Sequence, residues 1–429
     1  MSSLTLSSHV TLRPLSQQVE NGVVLLGHAD QFLELPEEGV QFLAWLNEGD
    51  SLNQARQRFE SQFGPFSEAD LLEIMAAFLE SDFIASIDGQ AIPPHRPPHR
   101  PPAGSRAALF PQKWARALFS TPMLLAWLLF VLPAVAIWVT TPALWPRYAD
   151  FFWHDTYFVV ILVGLLLWLP NMALHELSHW LACRAKGIDA TITWTQRMGY
   201  IPMSQTVMHN IWAVPRPARF IPLAAGLMFD FLRIGGVLYL LHFHIMGLVT
   251  LPPLVEKFFK FNLLSATIGV TTQFWLFSRM DGYFLLSALL GQRNLQADTR
   301  AWVKSGLTRT GAFVRPQDGM KFIYIYLLIT VLGGGLVLGS FLLVTLPVNL
   351  QLLWVSYLKI GNSASGPLAY ADGVAVIASQ IITYGLLGYA YWRETWPKWQ
   401  PRRLLSAHRI GRFWLPRFNA GRTFFNEGL

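Results

Sequence analysis

The chain has 429 residues, of which 52% are apolar, 14% aromatic and only 14% charged, with a formal net charge of +7. That balance excludes a wholly water-soluble globular enzyme and fits a chain whose solvent is largely lipid. A single cysteine, Cys183, excludes an internal disulfide framework and a cysteine-rich metal site, so any metal must be held by His, Asp or Glu.

The charge is unevenly spread. Residues 1–92 carry 14 Asp plus Glu against 3 Arg and no Lys, net −11, whereas the remainder nets +18. Two regions with different tasks are implied. The first residues lack a basic stretch followed by an apolar core, so no cleavable secretory signal is expected. In chain order, "VTLRPL", "GVVLLGH" and "QFLELP" predict three short strands. Three helical patterns follow, "EEGVQFLAWLNEG", "SLNQARQRFESQFG" and "SEADLLEIMAAFLESDFI". Ser51 and Ser67 are the predicted N-caps, with Asp70 completing a capping pattern after Ser67. Residues 1–92 thus predict a small soluble α+β domain.

Residues 93–116 read as a Pro-, His- and Arg-rich linker, because "PPHRPPHRPP" lacks the amide donors of a helix and favours an extended spacer. His95 and His99 fall in that spacer rather than in a metal site. From 117 to 392 six apolar segments are long enough to span a bilayer, near 118–140, 156–183, 218–246, 261–291, 321–347 and 371–392. The expected fold class is a mainly α membrane protein of about six transmembrane helices. Lys and Arg crowd the segments before the first span, between the second and third, between the fourth and fifth, and after the sixth, which places both termini in the cytoplasm. The tail, 393–429, mixes cations with Trp and Phe and suits either an anionic lipid surface or a solvated anchor. No nucleic-acid partner is expected.

The second span contains "HELSH": His175, Glu176 and His179. On a helix, residues four apart share a face, so both imidazoles can reach one ion while Glu176 points at its open side. Ionisable residues inside a span are costly and usually functional. A catalytic zinc takes three protein ligands, so a third must come from elsewhere. Asp281 in "SRMDGYFLL" is the best candidate, since Gly282 lets the helix open there; the alternative is an acid that caps a broken helix or pairs with Arg279. Asp230 competes, but Arg233 at i+3 suggests an ion pair instead. His209, His242 and His244 near span ends suit interfacial or hydrogen-bonding roles. Residues 189–206 alternate like a strand and could hold an extended peptide or form a plain hairpin.

"HELSH", "MDGYFLL" and "FIPLAAGLMFD" resemble the motifs of site-2 protease intramembrane metallopeptidases over residues 155–300. That resemblance implies one Zn2+ held by His175, His179 and Asp281, with Glu176 as the catalytic base. Two positions depart from the family: Leu227 stands where Pro is usual, and the Asn-Pro pair before Asp-Gly is missing. Over residues 8–90, "ELPEEGVQFLAWLNEG" and "LLEIMAAFLESDFI" resemble the winged-helix-like peptide-recognition domain of pyrroloquinoline quinone biosynthesis. This likeness implies that a leader peptide docks as an added strand at the "VVLLGH" and "QFLELP" hairpin, with the third helix as the other wall. The expected function is a membrane-embedded zinc endopeptidase, in a bacterial inner or plasma membrane, that matures a ribosomally made modified peptide. Modification enzymes or an exporter are its expected partners. The rivals are regulated intramembrane proteolysis of a membrane-anchored regulator, and a catalytically silent membrane receptor for a modified peptide.

Overall fold

The structure is a computed structural model and describes residues 4–20, 23–28, 31–94, 110–197, 201–209, 211–293, 295–308, 320–362, 366–399 and 423–425. Strands β1 (Val10–Leu12), β2 (Ser16–Glu20), β3 (Val23–His28) and β4 (Gln31–Leu35) come first. Helices α1 (Glu37–Glu48), α2 (Leu52–Phe63) and α3 (Glu68–Glu80) follow, then β5 (Ile84–Ile87) and β6 (Gln90–Ala91). Both expected serine caps form. Ser51 makes a full capping box with Gln54, while Ser67 accepts from the Asp70 amide alone. β2 is an addition to the expected strands: "SQQVE" carries no apolar alternation and forms as an edge strand against β3. β5 is also an addition, split from the third helix by a turn in which Asp82 takes a φ of 58°.

Parity explains the apolar run of the central hairpin. Val24, Leu26, Leu33 and Leu35 point into the core of residues 4–92, whereas Leu25 and Phe32 point the other way. A strand buried on both faces needs apolar residues at successive positions.

From residue 110 the described residues are mostly helical. α4 (Gln112–Leu118) leads into α5 (Thr121–Thr140), α6 (Tyr157–Lys186), the hairpin β7 (Ala190–Arg197) and β8 (Ile201–Met208), α7 (Arg216–Ile245), α8 (Pro253–Gln273) and α9 (Asp281–Leu290). α10 (Leu295–Thr308), α11 (Met320–Ser340), α12 (Leu346–Gly361), α13 (Gly366–Trp399) and β9 (Thr423–Phe425) complete the order. α11 runs into α12 through one π-helical stretch, Phe341–Thr345. Among the described residues, five helices are long and apolar enough to cross a membrane: α5, α6, α7, the continuous α11 to α12, and α13 up to Arg393.

The expected fourth span, 261–291, is not one helix. It divides into α8 and α9 around a 3₁₀ turn, Leu276–Ser278, and α9 alone is too short to cross. Arg279 turns the chain at φ 53°. A Cβ at Gly282 would sit 2.5 Å from the Gln273 carbonyl oxygen, so only glycine permits this fold-back. The spacer also ends earlier than expected, because residues 112–118 are α4, tied to α6 by Gln112 Nε2 donating to the Arg184 carbonyl at 3.1 Å. His95 and His99 lie outside the described residues, as does most of the tail.

α7 is the central helix. Gly235 lets α5 approach so closely that a Cβ there would meet Phe130 at 2.9 Å, and Trp127 Nε1 donates to the Met228 carbonyl at 2.9 Å. Arg219, a cation that by sequence marks the cytoplasmic side between the second and third spans, is in fact fully buried. Its Nε and Nη2 donate to the carbonyls of Val214 and Trp212, and its guanidinium lies over the Trp212 ring. Trp212 in turn meets the N-terminal unit: Leu25 and Phe32 join Cys183, Ile188, Met208, Ile211, Trp212 and Leu223 in one buried cluster. The N-terminal sheet is therefore docked on the helical unit rather than held apart by the linker. Leu25→Ala, which empties a side chain only 1% exposed, is expected to cost about 2–5 kcal/mol. A fall in melting temperature of the detergent-solubilised chain reads this cost; no fall would mean that the dock contributes nothing.

Candidate metal centre

Five residues after Pro170, α6 presents His175, Glu176 and His179 on its buried side, with exposures of 8%, 8% and 2%. The two imidazole Nε2 atoms lie 3.3 Å apart. Asp281, in the first turn of α9 where the helix dipole favours a carboxylate, places Oδ2 2.8 Å from His175 Nε2 and 3.1 Å from His179 Nε2. Its rival role is not adopted, for Arg279 donates instead to Gln296 Oε1 at 2.9 Å. The break between α8 and α9 is what brings this carboxylate to the histidine pair.

The other ring nitrogens fix what the Nε2 atoms are. His179 Nδ1 lies 2.7 Å from the Pro222 carbonyl, which can only accept, so the proton is on Nδ1 and Nε2 bears a lone pair. Pro222, inside α7, has no amide proton of its own, and its carbonyl serves the imidazole. His175 Nδ1 is 2.9 Å from Asp230 Oδ2, which assigns the same tautomer. Asp230 is thus not chiefly the partner of Arg233, which is 3.8 Å away, too far for a hydrogen bond. By its i+3 spacing Asp230 reads as an ion-pair partner of Arg233; seven residues, two turns of α7, separate Arg233 from Gly226, and Asp230 lies between them facing His175 of α6.

In the neutral tautomers that these contacts select, two nitrogen lone pairs and a carboxylate oxygen converge. Ligands at ~2.0–2.1 Å around a tetrahedral ion sit ~3.3 Å from each other, close to the spacings observed. His175, His179 and Asp281 could hold a metal ion. Gly226 supplies the last requirement, since a Cβ at that position would fall on both Nε2 atoms and fill the space the ion needs. The donor set, two imidazoles and one carboxylate, fits zinc and other divalent ions alike.

Glu176 is not among the three converging groups. Its Oε2 accepts from Thr206 Oγ1 at 2.8 Å, and the same hydroxyl is 2.9 Å from the Glu176 carbonyl. Thr206 went unrecognised from sequence, although β8 carried the signal: Ser204, Thr206 and Met208 alternate as its buried face, with two polar residues in a strand beside an apolar helix. A cavity of about 40 Å³ joins Glu176 to the three candidate ligands and to β8, enough for a water molecule. Of the remaining histidines, His209 pairs with Thr191 Oγ1 at 3.0 Å and His244 with the Val249 carbonyl at 3.1 Å. Neither they nor His242 join the site.

Comparison of the chain with protein-family models, with curated proteins and with solved structures finds no match. The site's own geometry is left to indicate its chemistry. Gly226→Ala should abolish stoichiometric metal binding, and Asp230→Asn should weaken it by about 10–100-fold. Metal content by inductively coupled plasma mass spectrometry, after dialysis against a competing chelator, measures both; a fully loaded Gly226→Ala protein would place the ion elsewhere.

Proposed function

We propose that the chain is a membrane-embedded zinc endopeptidase of the site-2 protease type. The observation that carries this reading is the placement of an unligated carboxylate, Glu176, in one water-sized cavity with three convergent acceptors. When bound, zinc supplies Lewis acidity, polarising a peptide carbonyl and acidifying water. Glu176 accepts the proton of the attacking water and returns it to the leaving amine. Thr206 holds the Glu176 carboxylate by one oxygen, leaving the other for this transfer. Asp230 and the Pro222 carbonyl orient the two imidazoles, and Gly226 keeps the space between them clear.

The substrate proposed is a peptide recruited by residues 1–92. Peptides commonly bind such domains by adding a strand to a sheet edge. Here β3 is central, β4 pairs with β9, and β2 is the edge of that sheet without a strand partner among the described residues. A leader that binds by strand addition therefore takes the β2 edge or displaces β9 from β4. Met208 of β8 belongs to the same buried cluster as Leu25 and Phe32, so the recruiting unit abuts the strand that lines the site. In this reading five helices and the broken α8 and α9 pair lie in a bacterial inner membrane, with both termini cytoplasmic.

Glu176→Gln is expected to keep its metal and to lower cleavage of a reconstituted peptide substrate by about 10²–10⁴-fold. Chelation of the metal should stop cleavage, and zinc should restore it. Undiminished turnover by a metal-loaded Glu176→Gln protein removes the peptidase reading and favours a silent peptide receptor.

A further inference from the structure

A second and larger cavity, about 180 Å³, adjoins the metal centre, sharing His175 and Glu176 of α6 and Met203 and Ser204 of β8 with it. α6 and α8 form its walls and α7 its floor. Gly164 and Phe261 mark the end of the lining farthest from His175 along α6, and there a Cβ at Gly164 would meet Phe261 Cζ at 3.2 Å. From Gly164 to His175 along α6 is ~16 Å, so the cavity runs for about half a bilayer's hydrocarbon thickness. The helices around it are apolar, yet Asn171, Arg233, Asn262, Thr272 and Gln273 face it.

Two of these polar groups have unmet demand. Arg233 has a side chain 19% exposed, and its nearest carboxylate, Asp230 Oδ1, is 3.8 Å away. Arg233 Nε and Asn262 Oδ1 are buried without a hydrogen-bond partner. Asp230 cannot close the gap without releasing His175, since its Oδ2 is held on Nδ1. A guanidinium is always charged, offers five donors in a planar fork and accepts nothing. Burying one in a membrane-spanning unit without hydrogen bonds is costly, and the chemistry that satisfies the fork is a carboxylate bound by two donors.

We propose that this cavity is a substrate subsite in which Arg233, assisted by Asn262, receives a carboxylate of the peptide close to the bond being cut. The inference rests on the peptidase reading and deepens it. Asp230 bridges the two sites, one oxygen on His175 and the other facing Arg233, so the guanidinium is within two side chains of the metal position. That separation suits an acidic side chain flanking the scissile bond or the α-carboxylate of a chain cut near its end. Asp230 already offsets part of the guanidinium charge, so the expected discrimination is about tenfold.

The test uses the full chain in lipid nanodiscs loaded with zinc. The probes are two pairs of otherwise identical apolar decapeptides: one pair with a central Glu or Gln, the other with a free or an amidated C-terminus. Binding is measured on the Glu176→Gln protein by fluorescence anisotropy and cleavage on the wild type by mass spectrometry. One acid probe should bind about tenfold more tightly than its amide counterpart, and the pair that shows the difference identifies a side-chain or a terminal carboxylate. Arg233→Gln should bring that ratio to within about twofold, while Arg233→Lys, which keeps the charge and loses the fork, should give an intermediate ratio. Equal binding of acid and amide in both pairs, or a ratio unchanged in Arg233→Gln, overturns the proposal and leaves a water-filled cavity. Arg233-dependent discrimination without cleavage of any probe sustains the subsite and sinks the peptidase.

Discussion

Two imidazole Nε2 atoms and the Asp281 carboxylate oxygen lie within 3.3 Å of one another, a convergence that calls for a positive charge among them, whether a metal ion or a proton on an imidazole. Everything nearby serves to hold that arrangement. Asp230 and the Pro222 carbonyl fix the tautomers, Gly226 removes a Cβ, and the fold-back at Gly282 delivers Asp281. These devices sit on α7 and α9 and act on histidines of α6, so the site exists only when the three helices are packed together. Arg216 contributes to that packing by donating to the Ala288 and Leu289 carbonyls at the end of α9, where a cation is favoured by the helix dipole.

The strand β8 belongs to two environments at once. Met208 is buried with Leu25 and Phe32 of the N-terminal sheet, and two residues earlier Thr206 holds Glu176. Because residues i and i+2 of a strand share a face, the dock and the Glu176 carboxylate press on the same side of one short strand. The N-terminal unit therefore packs against the strand that holds Glu176.

Much of the site was legible because helical spacing is rigid. The positions of His175, Glu176 and His179 on α6 followed from four-residue periodicity, and Asp281 from an acid beside a glycine in an apolar run. Asp230 was visible as an oddity but assigned to Arg233, since i+3 proximity is local and can be read from sequence, whereas its bond to His175 spans 55 residues. Thr206 was hidden for the same reason: no local pattern says which polar residue of a strand will meet a helix. The hairpin β3 to β4 was predicted, but its double-sided burial, and hence the dock, depends on a surface supplied by residues 183–223. The fourth span failed because hydropathy sums composition and cannot register a break imposed by a ligand's geometry.

Charge balance ties the metal centre to its surroundings. Glu176, Asp230 and Asp281 bring three carboxylates into a cluster packed among apolar helices, and Arg233 is the cation facing them from α7. With both histidines neutral, such a cluster carries an excess of two negative charges, which is costly in a medium of low dielectric. A divalent ion held by His175, His179 and Asp281 would remove that excess. The third carboxylate and the glycine that leaves room between the rings both go beyond what hydrogen-bonding two histidines requires.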